Sequence, residues 1–132
     1  MALVGAGVST SAMGGLTPLS WAAKGGHEAV VKMLLKRNDV NPNIADTNGE
    51  TPLLIAARRR YEGVLKLLLE RNDLDPNIAD RDGETPLLIA SCGQYEGVLK
   101  LLLERNDVDP NIADRFGQAP LIIATHGEMK ES

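Results

Sequence analysis

Few residues in this chain have types and spacings that could do chemistry. Cys92 is the single thiol, and His27 and His126 are the two imidazoles. A cysteine nucleophile needs a neighbouring base or a helix N-terminus to draw off its proton, and Cys92 has no such setting in the sequence. The two histidines lie far apart, with no Cys, Asp or Glu at ligand spacing, so zinc is not expected. The run Asp73-x-Asp75-x-Asn77, followed by Glu84, imitates a calcium loop. However, the required glycine is Ile78, Pro76 stiffens the start, and the matching position in the next unit is Gln118. These Asp and Asn side chains are better suited to holding loop backbone N–H groups. Arg58-Arg59-Arg60 could seat a carboxylate or phosphate through forked hydrogen bonds, or form solvated surface. No catalytic, cofactor-binding or metal-binding residue is assigned, and no enzymatic activity is expected.

The elements that must position these groups come from a repeat. Thr17-Pro18-Leu19 recurs as Thr51-Pro52-Leu53, as Thr85-Pro86-Leu87 and, decayed, as Ala119-Pro120-Leu121, with a period of 34 residues. Each unit reads as a short apolar helix, a turn, a second helix, and a Gly-, Asn- and Asp-rich return. In the unit from Thr51, the threonine is a natural N-cap and Pro52 occupies the first helical position, where its missing N–H costs nothing. Leu53, Ile55, Ala56 and Ala57 offer small apolar surface for close packing, and the first helix stops near Arg59. The second helix spans about 62–71, with an apolar face of Val64, Leu65, Leu67, Leu68 and Leu69 too broad for a free amphipathic helix. Asn38, Asn72 and Asn106 are expected to end the second helices in the left-handed conformation. Asn48-Gly49, Asp82-Gly83 and Phe116-Gly117 are read as hairpin tips. One unit cannot bury its own apolar side, so neighbours must stack.

Bulk properties agree with a small binding domain. Of the residues, 43% are hydrophobic but only 3% aromatic, which calls for an aliphatic core of thin, close helices. A net charge of −4 argues against a general nucleic-acid or anionic-membrane binder. One cysteine permits no internal disulfide, and Ala2 to Val8 has no basic flank and is too short for a signal core, so a cytoplasmic protein is expected.

The segments Thr17-Pro18-Leu19-Ser20-Trp21-Ala22-Ala23, Gly26-His27-Glu28-Ala29-Val30-Val31 and Leu34-Leu35 resemble the ankyrin repeat, and the resemblance extends over nearly the whole chain. It implies an all-α solenoid of helix-turn-helix units joined by β-hairpin loops. The division is a partial leading repeat at 1–16, repeats at 17–50, 51–84 and 85–118, and a truncated trailing repeat at 119–132. Two features depart from the family pattern. The return Asn-Asp-Val/Leu-Asn/Asp-Pro-Asn adds one residue to the usual 33. Ser20, Leu54, Leu88 and Ile122 stand where a histidine is common, so stability leans on packing. The near-identical repeats and this return look like ankyrin arrays of fungal multidomain proteins; an engineered consensus scaffold is the other origin considered. Gly5-Ala6-Gly7-Val8-Ser9-Thr10-Ser11-Ala12 also resembles the nucleotide-binding loop of sirtuin deacylases. That reading would imply an NAD-binding fragment, but it lacks the parallel sheet and cysteine pairs such a fold needs.

The ankyrin resemblance implies a non-catalytic protein–protein interaction module that meets its partner with hairpin tips and the concave first-helix face. Carried over by position, the contacts are Thr47, Asn48 and Glu50; Arg81, Asp82 and Glu84; Arg115, Phe116 and Gln118; and, from the first helices, Arg58, Arg59 and Cys92. Repeats 51–84 and 85–118 differ at only seven positions, at 57/91, 58/92, 59/93, 60/94, 74/108, 82/116 and 84/118, and four of these fall on the implied contacts. A structural spacer or assembly domain is the alternative. The half-covered C-terminal end is expected to fray, to continue into a longer array, or to pair with a second copy.

Overall fold

The computed structural model describes residues 16–117. Six helices of equal length follow one another: α1 (Pro18–Gly25), α2 (Glu28–Leu35), α3 (Pro52–Arg59), α4 (Glu62–Leu69), α5 (Pro86–Gly93) and α6 (Glu96–Leu103). Each odd helix pairs with the even helix after it. Odd helices stack on odd (α1 on α3, α3 on α5) and even on even (α2 on α4, α4 on α6), giving two parallel layers.

The first helices start as their sequence dictates. Thr17, Thr51 and Thr85 are extended N-caps whose side chains accept from the backbone N–H of Ser20, Leu54 and Leu88, and a proline follows each. Ser20 is buried at the place of the family's common histidine and accepts a hydrogen bond from the Thr17 hydroxyl at 3.2 Å, a local substitute confined to the first unit. The core lies between the layers. Leu19, Ala22, Ala23, Leu53, Ala56, Ala57, Leu87 and Ala90 from the first helices meet Val31, Val64, Leu65, Leu68, Val98 and Leu102 from the second. Two-turn helices are marginal alone, and this shared burial is what holds them.

Two expectations about chain reversal need correction. Asn38, Asn72 and Asn106 are not left-handed. The second helices end at Leu35, Leu69 and Leu103, capped by Lys36, Glu70 and Glu104 in right-handed geometry. The left-handed residues close the first helices instead: Gly26, and the non-glycines Arg60 (φ 60°) and Gln94 (φ 58°). The loops between units carry turns, and among the described residues none is a strand. The Asp46 N–H donates to the Glu50 carbonyl at 3.0 Å, and Asp80 repeats this with Glu84. The Asp46 carboxylate takes the N–H groups of Asn48 and Glu50, as Asp80 takes those of Asp82 and Glu84, so these donors do not extend a ladder. Gly49, Gly83 and Gly117 have positive φ at the tips, as their sequence context required.

Candidate functional site

The turns and the C-terminal ends of the first helices form one surface, and Arg58 shows how they join. It projects from the last turn of α3. Its Nε donates to Glu50 of the preceding loop at 2.8 Å and its Nη2 to Asp80 of the following loop at 2.7 Å, and Glu84 lies 3.6 Å away. Burial opposes the guanidinium charge, but Glu50, Asp80 and Glu84 outweigh it and raise the Arg58 pKa. Glu84 is pushed above the usual carboxylate range, first by burial and then by Asp80, with Arg58 only partly offsetting both. The fork foreseen for an external carboxylate or phosphate is thus filled by the chain's own carboxylates.

A second cluster sits at the next tip. The Arg115 guanidinium donates to Asp82 at 2.8 Å, its backbone N–H donates to the Asp82 carbonyl, and its charge lies 5.3 Å from the centre of the Phe116 ring. Phe116 is 75% exposed. Thr47 and Asn48 are exposed on the first tip, and Arg81 on the second. Arg59 and Cys92 are exposed at the ends of α3 and α5 without a side-chain partner among the described residues. Gln118, His126 and the Gly5–Ala12 segment lie outside the described residues.

The carboxylates of Asp80, Asp82 and Glu84 approach one another within 4.8 Å. Arg58 and Arg115 already answer their charge, and Asp80 also binds loop N–H groups, so the trio is an arginine-held turn. Of the imitation calcium loop, Asp73 is bound to Arg71, Asp75 accepts from the Asn77 N–H, and Asn77 reaches Asp107 of the next unit.

Sequence reasoning missed the polar seam behind the second helices. Arg71 Nη1 donates to the carbonyl of Leu35 at 2.8 Å and its Nη2 to that of Val40 at 3.0 Å, capping the preceding unit's helix end. Arg105 does the same to Leu69 (3.0 Å), Arg71 (3.1 Å) and Leu74 (3.1 Å). Asp73 and Asp107 grip these guanidiniums from below. The hydrogen bonds from Arg71 and Arg105 hold both carboxyls below the usual 3.8 despite some desolvation. Asn43 bridges the same junction, donating to the Asp73 carbonyl and accepting from the Asp75 N–H, and Asn77 repeats this with Asp107 and Asp109. The available signal was the recurrence of Arg-Asn-Asp and Pro-Asn at the repeat period. Arg60, over the Tyr95 ring at 4.8 Å, is a further contact between units.

Helix pairs stacked in register, each unit covering the next, define a repeat solenoid, a class whose extended faces are used for binding. Family models described as ankyrin repeats (3 copies) and ankyrin repeats (many copies) match residues 2–80 and 68–124. The chain belongs to the ankyrin repeat family. The first match includes the glycine-rich Gly5–Ala12 segment. No curated protein matches the chain. Ankyrin repeats are generally protein–protein interaction modules and are typically not catalytic. Among the described residues no helix is long and apolar enough to cross a membrane.

Proposed function

We propose that this chain binds another protein through the surface built from the loops 46–50, 80–84 and 114–117 and the ends of α1, α3 and α5. The observation that carries this reading is Arg58, whose contacts to two successive loops weld helix ends and tips into one continuous face. The positions that distinguish the two near-identical repeats, 58/92, 59/93, 60/94 and 82/116, fall on that face, whereas the junction residues are kept.

The charge pattern suggests what the partner carries. Glu50, Asp80, Asp82 and Glu84 are each held by an arginine of this chain, leaving Lys24, Arg59 and Arg81 as exposed cations without a carboxylate partner among the described residues. Beside them Phe116 offers an aromatic anchor of the kind that concentrates binding energy. An acidic segment with one apolar side chain fits this face.

The test compares capture of proteins from an extract by the native chain, by Arg59→Glu/Arg81→Glu/Phe116→Ala, and by Lys66→Glu/Lys100→Glu on the opposite layer, all matched for helicity. The expected result is loss of the captured protein by the first variant alone. Equal capture by all three, or loss by the second, would overturn the assignment and favour a spacer role.

A further inference from the structure

We infer that the two ends of the described array are complementary and that copies of this chain associate head to tail, with Arg37 of one copy seated on the carbonyl end of α6 in another. The inference is independent of the loop-face reading, because it uses the outer layer and its two ends.

The two internal junctions define what a junction requires. A guanidinium clamped by the aspartate two residues later caps the helix end of the unit before it, and an asparagine of that earlier unit bridges a carbonyl and an N–H of the later one. Arg37 already holds this pose. Its Nε and Nη2 donate to Asp39 at 3.0 and 2.9 Å, the grip seen in Arg71–Asp73 and Arg105–Asp107. Yet it has no carbonyl partner among the described residues, and its side chain is 63% exposed, against 18% for Arg71 and 17% for Arg105.

The matching half stands at the other end. Leu103, Arg105 and Val108 are one repeat beyond Leu69, Arg71 and Leu74, the acceptors of Arg105, and among the described residues no guanidinium reaches their carbonyls. Asn111 is one repeat beyond Asn77 and is exposed. In the proposed contact, Arg37 donates to the carbonyls of Leu103, Arg105 and Val108, Asn111 donates to the Asp39 carbonyl, and the Asn41 N–H donates to Asn111. The cation meets the negative end of the α6 dipole.

Apolar surface agrees with the polar register. Val30 and Met33 are exposed on α2, whereas the equivalent Val64 and Leu67 are covered inside the array; Leu103 is exposed, whereas Leu35 and Leu69 are half-buried. One adjustment is needed. Gly63 and Gly97 lie against the carboxylates of Glu28 and Glu62 from the unit before, and Ala29 stands at the equivalent place in α2, so Glu96 must swing aside, which an exposed flexible side chain does readily. Because the two surfaces differ and do not face themselves, the association is heterologous and propagates.

The test is sedimentation over a wide range of protein concentration, with Arg37→Ala disabling one end and Leu103→Lys/Asn111→Lys the other. All these positions are exposed, so both variants are expected to keep native circular dichroism. The native chain is expected to show a weight-average mass that climbs above 14.2 kDa with concentration. Each variant alone stays at that mass, and an equimolar mixture forms dimers and nothing larger, since only one intact junction remains per pair. A native chain that stays monomeric throughout would overturn the inference, as it would if residues 118–132 cover the α6 end. Two variants that assemble like the native chain, or a mixture that stays monomeric, would also overturn it.

Discussion

Replacing Arg105 by alanine isolates the seam between the second and third repeats. The substitution removes a guanidinium that donates to three carbonyls at 3.0–3.1 Å while shielded to 17% exposure. Hydrogen bonds with one charged partner contribute about 1.5–3 kcal/mol each. The three carbonyls share two nitrogens, and water reaches them once the side chain is gone, so the three do not add in full. The expected loss is about 2–4 kcal/mol. With a urea slope of about 1–3 kcal/mol per molar, the midpoint falls by about 1–2 M. Stability in stacked repeats is a sum of units and nearest-neighbour interfaces, so the loss concentrates on α5 and α6, whose amides exchange first while α3 and α4 keep their protection. The internal control is Arg37→Ala at concentrations where the chain is monomeric. It carries the same Arg–Asp pair without the carbonyls, and exposed pairs contribute about 0–1 kcal/mol. Urea denaturation followed by circular dichroism decides the matter. Equal midpoints for Arg37→Ala and Arg105→Ala would refute the view that helix-end capping, and not the surface ion pair, supplies the stability.

Two further outcomes follow from local geometry. Gln94 sits at φ 58°, where a side chain costs about 1 kcal/mol and glycine costs little; Gln94→Gly, copying Gly26, is expected to raise the melting temperature by a few degrees, and an unchanged or lower value would count against strain at that cap. Asp73 and Asp107 have pKa values lowered by their arginines, so their stabilisation is present above the ordinary 3.8 and is lost as pH falls through the lowered folded values. Asp73→Asn/Asp107→Asn is therefore expected to be less stable than the native chain at neutral pH and to converge with it toward about pH 2 in thermal melts; a constant gap would contradict the linkage.

What the sequence disclosed is what is decided locally. Thr51-Pro52 announces a helix start because cap and first turn are adjacent in the chain, and Asp80-x-x-Gly83 announces a turn because its carboxylate bonds N–H groups two and four residues on. The seam was invisible for the opposite reason. Arg71 at a helix end reads as solvated surface, and its acceptors are backbone carbonyls of the preceding unit, which have no residue type to recognise. The same blindness led to Asn72 as a left-handed cap, when Arg105, one repeat later, already satisfies the helix end. Arg58 was singled out correctly as a conspicuous cation on the first-helix side. Its place between Glu50 and Asp80 depends on how two loops stack, which spacing alone does not reveal.

The seam also bears on how such a protein can change over generations. Each junction is made from a donor set and an acceptor set that every 34-residue unit carries in the same register, so an in-frame duplication of one unit in the gene inserts a module whose two sides already fit its neighbours. Array length can then vary without redesign of the interior. The residues after each first helix, which take little part in that fit, stay free to acquire new recognition.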